Sequence, residues 1–257
     1  LWTDTSGGLR YRANIVRLLG GHQLAPDLLE DDDSQDDSGW SVPESPQATT
    51  AEPLSALAGA LSDRDPTLRI LACGALAHAG AQSVAHALRG RAGDPAAEVR
   101  RAALLALAVA DPKGSADVLL TGLDDPSATV RVTAALALGT AKALVALPRL
   151  STAVMGSDHA LAAAAAEALG GMGPDALPLL RTAAAADLMV VRLAAIRGLR
   201  LQPDAVGDIV ACLSDPEADV RATAAGSLTA PEGPGLSALV LLSATDPEAG
   251  VRRATIQ

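Results

Sequence analysis

One pattern recurs along this chain at a spacing of 29 to 31 residues, and it limits the fold more than any other feature of the sequence. Its clearest copies read Asp-Pro-x-x-x-Val-Arg and begin at Asp94, Asp125, Asp215 and Asp246. The position before the arginine holds an aliphatic residue in seven copies: Leu68, Val99, Val130, Leu161, Val191, Val220 and Val251. Self-similarity at a period of about 20 to 50 residues is typical of repeat proteins. We therefore predict a fold built from stacked copies of one unit.

Three further columns keep the same register and indicate that each unit contains two helices. Small residues follow the aliphatic column after four positions, at Ala72, Ala103, Ala134, Ala165, Ala195, Ala224 and Thr255. Leucines follow it after eight positions, at Leu76, Leu107, Leu138, Leu169, Leu199 and Leu228. Another aliphatic column lies eleven positions before it, at Leu57, Leu88, Leu119, Leu150, Leu180, Ile209 and Val240. Spacings of four and eight share one helical face, so the earlier column belongs to a separate first helix.

The Asp-Pro pair is expected to open the second helix of each unit. An aspartate at the cap accepts a hydrogen bond from a free backbone N–H, and proline at the first helical position lacks an N–H that would have had no partner. Three copies depart from this pattern: one proline has moved to Pro66, Ala162 replaces an arginine, and Asp187 has no proline. Because neither helix can bury its apolar stripe alone, the units stack. The predicted fold is an all-α, right-handed solenoid of about seven helical hairpins.

The Asp-Pro-x-x-x-Val-Arg runs and the Ala-x-x-x-Leu that follows them resemble HEAT repeats, and they are most similar to the short HEAT-like repeats of the phycobilisome-lyase type. The resemblance covers about residues 51–257. It implies a helical solenoid but leaves the function open, because the family includes lyase subunits, a metal hydroxylase, scaffolds and adaptors.

The chain divides into three segments. Residues 1–25 are expected to form a degenerate helical half-repeat, because Tyr11, Ile15 and Leu19 follow the repeat spacing. Residues 26–53 form an acidic linker rich in Ser and Pro. Residues 54–257 form the solenoid, and its last repeat is truncated because the chain ends inside a second helix. We therefore expect the chain to be a piece of a longer protein or its ordered part.

The acidic linker carries nine carboxylates and no Lys or Arg, and so accounts for nine of the ten formal net negative charges. Such a segment cannot bury enough apolar surface to order itself. It is interpreted first as a solvated linker and second as a regulatory or partner-binding strip that lies back on the arginines of the repeats. Metal binding by residues 31–37 is less favoured, because the glycine and terminal glutamate of an EF-hand loop are missing.

The arginine column is interpreted as a structural ladder, in which each side chain bonds a loop aspartate or a carbonyl of the next repeat. The clearest ladder residues are Asp94, Arg100, Asp125, Arg131, Asp215, Arg221, Asp246 and Arg252. Arginines outside the ladder position are better candidates for binding an acidic partner. These are Arg101, Arg197, Arg200 and Arg253.

No catalytic constellation is evident, so we expect neither a cofactor nor a metal, and we lean against an enzyme. The four histidines, His22, His78, His86 and His159, lack carboxylates at useful spacing, and no His-Glu dipeptide occurs. The two cysteines, Cys73 and Cys212, lie 139 positions apart, too far for a disulfide along an extended solenoid. They favour a reducing, cytoplasmic compartment weakly.

Nucleic-acid and membrane binding are disfavoured. All three aromatic residues precede residue 41, lysine occurs only at Lys113 and Lys142, and no run of 18 uncharged apolar residues exists. The leading hypothesis is a scaffold or adaptor that binds an acidic protein partner on a concave face lined by second helices. The alternatives are a lyase-like or chaperone-like subunit acting on a cofactor-bearing protein, and a regulatory segment of a larger multidomain enzyme.

Overall fold

The computed structural model describes residues 57–77, 82–228 and 234–255. The predictions for residues 1–25, for the acidic linker at 26–53 and for His78 lie outside this part of the chain. Within the described residues the protein is an all-α solenoid. Residues 57–60 are helical, and thirteen α-helices follow. These are α1 (Pro66–Ala77), α2 (Gln82–Arg91), α3 (Ala97–Ala110), α4 (Ala116–Gly122), α5 (Ala128–Thr140), α6 (Leu147–Val154), α7 (His159–Gly170), α8 (Leu177–Ala184), α9 (Met189–Leu199), α10 (Val206–Ala211), α11 (Ala218–Ser227), α12 (Pro234–Thr245) and α13 (Ala249–Ala254).

The odd-numbered helices are the second helices of the repeats, and the even-numbered helices are the first helices. Each second helix packs against the next second helix, so that α1, α3, α5, α7, α9, α11 and α13 form one continuous layer. The first helices from α2 onward pack against the second helix of their own repeat and form the other layer. Short 3-10 segments lead into α6 and α8, at Leu144–Ala146 and Pro174–Ala176.

The apolar columns of the sequence form the core between the two layers. The alanine column from Ala72 to Ala224 and the leucine column from Leu76 to Leu199 are fully buried. The alanines let adjacent second helices approach closely, while the leucines fill the space between the layers. The repeat pattern therefore predicted which side chains make the core.

The structure corrects the predicted core at two positions. In α12 the buried residue is Leu239, and Val240 is 60% exposed. One more residue separates this column from Val251 than in the other repeats, and α12 is apolar on all sides, so the period alone could not distinguish the two positions. In α7 the column residue Leu161 is only half-buried.

The Asp-Pro pair precedes the second helix in most repeats and does not open it as predicted. The N-cap of α3 is Ala96, and Asp94 accepts a hydrogen bond from the Ala96 N–H at 3.0 Å. This bond closes an Asx turn from Asp94 to Ala96, and proline suits the position between them. Pro66 does begin α1, and Asp158 does cap α7, accepting the Leu161 N–H at 3.1 Å.

The second helices α5 and α7 are each followed by a residue with positive φ. Lys142, four residues after Leu138, has φ +50°, and Gly173, four residues after Leu169, has φ +82°. Only glycine adopts this conformation without a steric penalty. Lys142 is therefore strained where Gly173 is not.

Candidate functional site

Each ladder arginine connects its own repeat to the next one. Arg100 donates from Nε and Nη2 to the carboxylate of Asp125, at 2.7 and 2.8 Å, and from Nη1 to the backbone carbonyls of Asp94 and Pro95, at 2.9 and 3.2 Å. The carboxylate thus belongs to the next repeat, and the carbonyls belong to the loop before the arginine's own helix. Five pairs have this arrangement: Arg69–Asp94, Arg100–Asp125, Arg131–Asp158, Arg192–Asp215 and Arg221–Asp246. Arg252 bonds the carbonyls of Asp246 and Pro247.

Four of the ladder aspartates, Asp94, Asp125, Asp158 and Asp246, are held in their charged form. The hydrogen bond from Arg100 lowers the pKa of Asp125, against the opposing effect of burial, and the Ser127 N–H lowers it further. Burial has the largest effect on the pKa of Asp94 and would raise it, but the bonds from Arg69 and Ala96 and the charges of Arg69 and Arg91 together lower the pKa. The pKa values of Asp158 and Asp246 are lowered chiefly by their arginines.

The ladder is interrupted between α7 and α9. Ala162 occupies the arginine position of α7 and is fully buried. Ala186 occupies the ladder-aspartate position before α9, because Arg192 bonds its carbonyl as Arg100 bonds that of Asp94. Asp187, one residue later, is exposed, and its carboxylate has no hydrogen bond or ion pair with any described residue. A different bond crosses this joint at the other end of the helices, where Gln202 donates from Nε2 to the Gly170 carbonyl at 3.0 Å.

A second set of ion pairs links successive repeats along the first helices, and sequence reasoning missed it. The pairs are Arg89–Asp117, Arg149–Asp124 and Arg181–Asp208, at 3.5, 2.7 and 2.8 Å. Their residues are separated by 25 to 28 positions, which is close to the repeat period. That spacing was the available signal, but these residues do not share one repeat position.

A groove of about 300 Å³ lies on the surface formed by three successive second helices, α5, α7 and α9. Ten residues line it: Val132, Leu136, Ala160, Ala163, Ala164, Glu167, Val190, Leu193, Ala194 and Arg197. Alanines dominate the middle helix, and larger aliphatic side chains lie on the helices to either side. Only Glu167 and Arg197 are charged. We call this surface of the solenoid the second-helix face.

All four arginines predicted for partner binding are exposed. None of them forms a hydrogen bond or an ion pair with another side chain within the described ranges. Arg101 and Arg253 each directly follow a ladder arginine, and so does the groove residue Val132. Both arginines therefore lie on the same face of their helices as the groove. Arg197 lies in the groove itself, and Arg200 is the C-cap of α9.

Residues considered for chemistry are not brought together. His86 and His159 are exposed on separate helices, and the described residues hold no group of three side chains that could bind a metal ion. Both thiols are free. Burial raises the pKa of Cys73 to about 12 and also raises the pKa of Cys212, so neither thiol is activated. None of the helices in the described ranges has the length and apolar content needed to cross a bilayer.

The stacked hairpins define an α-solenoid, and comparison with known families agrees. The profile of the HEAT repeats matches residues 54–125 and 116–200, so the chain belongs to the HEAT repeat family. A comparison with curated proteins returned no match.

Solved structures show the same fold. The YibA protein of Escherichia coli is 19% identical, with a TM-score of 0.52 over 82% of this chain and 86% of that one. The complex of CpcE and CpcF of phycocyanin lyase from Nostoc sp. PCC7120 is 22% identical, with a TM-score of 0.51 over 86% of this chain and 98% of that one. An engineered protein is 18% identical, with a TM-score of 0.51 over 98% of this chain and 74% of that one. At these identities the likeness is one of fold alone.

Proposed function

We propose that this chain is a non-catalytic scaffold that binds a protein partner across the second-helix face. The groove between α5, α7 and α9 is the observation that carries the proposal. Its volume of about 300 Å³ is at the lower limit of small-molecule sites, which span roughly 300–1,000 Å³. Its lining residues Ala160, Glu167 and Arg197 are exposed at the surface. Such a groove suits the projecting side chains of a bound protein segment better than an enclosed cofactor.

The partner segment is acidic where it meets the C-terminal half of α9. Arg197 and Arg200 lie there without an ion-pair partner among the described residues, and both are exposed. The same face also exposes Glu98 and Asp219, so it is not uniformly basic. Mixed charge of this kind fixes the register of a partner and sets its rate of association more than its affinity.

The acidic linker is a second candidate for the same arginines, as an intramolecular contact in the cytoplasmic protein. Its nine carboxylates without a basic residue support this, because they would be attracted to unpaired guanidinium groups. The fold likeness to phycocyanin lyase subunits adds no substrate to the proposal.

The test is affinity capture from an extract of the source organism, followed by binding measurements with the partner so identified. The double variant Arg197→Glu and Arg200→Glu should weaken binding at least tenfold, because it places negative charge against an acidic segment. The double variant Lys113→Glu and Lys142→Glu is the matched control. It changes the net charge by the same amount at exposed loop positions away from the groove, and it should bind as the wild type does.

Equal binding by the wild type and by the Arg197 and Arg200 double variant would remove the acidic contact from the proposal. The variant Ala163→Trp fills the groove, and unchanged binding by this variant would show that the groove is not the binding site. The control for this second variant is Ala222→Trp, which stands at the same repeat position in α11, outside the groove.

A further inference from the structure

Ion pairs cross the joints between successive described repeats, with one exception. The α3/α5, α5/α7 and α9/α11 joints each have a ladder pair, and a first-helix pair reinforces each of them. The α1/α3 and α11/α13 joints each have a ladder pair. Between the repeat of α6 and α7 and the repeat of α8 and α9, the part of the chain that the structure describes has neither kind. The ion pairs therefore divide the solenoid into an N-terminal block that ends with α7 and a C-terminal block that begins with α8.

The α7/α9 joint is held instead by apolar packing and by contacts at the C-terminal ends of the two helices. A Cβ atom added to Gly170 would lie 2.4 Å from the Cα of Gly198, so the helices nearly touch there. The buried bond from Gln202 to the Gly170 carbonyl lies at the same end. At the N-terminal ends, Ala162 and Ala186 stand where other joints have the arginine and the aspartate of a ladder pair.

The neighbouring α5/α7 joint provides the comparison. It has a similar close approach at its C-terminal end, where a Cβ atom on Gly139 would lie 2.8 Å from the Cα of Ala168. Its N-terminal end is fixed by Arg131, whose Nε and Nη2 bond Asp158 at 2.9 and 2.6 Å. Both donors bond the same oxygen, Oδ2 of Asp158, and an ion pair with two hydrogen bonds constrains orientation, whereas apolar packing is non-directional. The two joints therefore differ mainly in the constraint on their N-terminal ends.

We propose that the α7/α9 joint is a hinge, which pivots at Gly170 and Gly198 and changes the separation of the N-terminal halves of α7 and α9. His159 begins α7 eleven residues before the pivot, a distance of roughly 16 Å along the helix. A rotation of about 10° would thus move the N-terminal ends by roughly 3 Å, at a rise of 1.5 Å per residue.

The groove spans this hinge. Ala160 and Ala163 come from the N-terminal block, and Val190 and Leu193 come from the C-terminal block. All four lie in the N-terminal halves of their helices, where the displacement is largest. A partner that contacts both blocks therefore selects one hinge angle. This effect on binding rests on the proposed function, whereas the hinge does not.

The test measures distances between paired spin labels in the full chain, without a partner. The hinge-spanning pair uses Thr129→Cys and Val190→Cys, and the control pair uses Glu98→Cys and Ala160→Cys. All four positions are exposed, and each directly precedes the aliphatic column of its helix. The members of each pair are two repeats apart, or roughly 16–20 Å at ordinary helix spacing. Cys73→Ala and Cys212→Ala remove the native thiols.

We expect a broader distance distribution for the 129/190 pair than for the 98/160 pair, since only the first crosses the hinge. Ala162→Arg together with Ala186→Asp rebuilds a ladder pair at this joint and should narrow the first distribution to the width of the second, whereas Ala162→Arg alone should not. Equal widths in the parent chain would overturn the hinge and leave the proposed binding function standing. If Ala162→Arg does not fold, the two widths of the parent chain still decide the question.

Discussion

The ladder predicts that a paired aspartate and an unpaired aspartate from equivalent loops differ sharply in their contribution to stability. The side chains of Arg100 and Asp125 are only 14% and 10% exposed, and the carboxylate accepts two bonds from Arg100 and one from the Ser127 N–H. Asp125→Ala leaves a largely buried guanidinium with its two carbonyl bonds alone. Removing one member of a buried pair costs about 3–5 kcal/mol. Because the site keeps some access to water, we expect about 3 kcal/mol.

Asp187→Ala is the matched control, because Asp187 is exposed and its carboxylate has no partner among the described residues. A surface change of this kind costs less than about 0.5 kcal/mol. Urea unfolding followed by circular dichroism measures both variants. With a slope of about 2 kcal/mol/M, Asp125→Ala should lower the midpoint by about 1.5 M, and Asp187→Ala should lower it by less than about 0.3 M. Equal midpoints for the two variants would refute the energetic role of the ladder.

The same comparison has a defined pH dependence. The folded-state pKa of Asp125 is lowered, so the stabilisation is complete above the unfolded value of about 3.9 and is lost as the pH falls through the folded value. The stability difference between the wild type and Asp125→Ala should therefore be constant from about pH 5 to 8 and should shrink below about pH 4. A difference that persists unchanged at pH 2 would show that the charge is not its source.

Three further predictions concern single side chains. Leu107→Ala should lower the free energy of unfolding by about 2–5 kcal/mol because Leu107 is fully buried, while Val240→Ala should be nearly neutral because Val240 is mostly exposed. Similar losses in urea unfolding would show that the buried register is misassigned. Lys142→Gly should raise the free energy of unfolding by about 1 kcal/mol, because it removes the strain of a non-glycine residue at positive φ. Gly173→Ala should lower it by about 1–3 kcal/mol, because φ +82° with ψ −167° is a region restricted to glycine. Gly198→Ala should destabilise the protein by at least about 1 kcal/mol, because the added Cβ would lie 2.7 Å from a methyl carbon of Leu180. An unchanged melting temperature would show that α8 and α9 can separate at this contact.

The fold could be predicted because the buried positions of each repeat are set by local helical periodicity. The direction of the ladder could not. Arg100 is six residues after Asp94 and 25 before Asp125, and both spacings recur, so only the stacking shows that the carboxylate comes from Asp125 and that Asp94 provides its carbonyl. The prediction that Val240 is buried was wrong because α12 has no polar side that would indicate which residues face the solvent.

The groove was beyond the reach of the sequence for a different reason. Its lining residues, such as Leu136, Glu167 and Arg197, occupy one repeat position with three different side-chain types. A position that varies from copy to copy gives no periodic signal, although it is the kind of position that can adapt to a partner. The prediction of Arg197 and Arg200 as partner-binding residues remains to be tested.

Each ladder bond joins residues only 23 to 27 positions apart, so no cross-link of the ladder reaches beyond the adjacent repeat. Tension applied to the two ends of the solenoid would therefore load its joints in series. The chain should lengthen in steps of about one repeat, and single-molecule pulling would record a sawtooth instead of one rupture. A protein with this architecture can yield locally under force and re-form from whatever repeats remain intact.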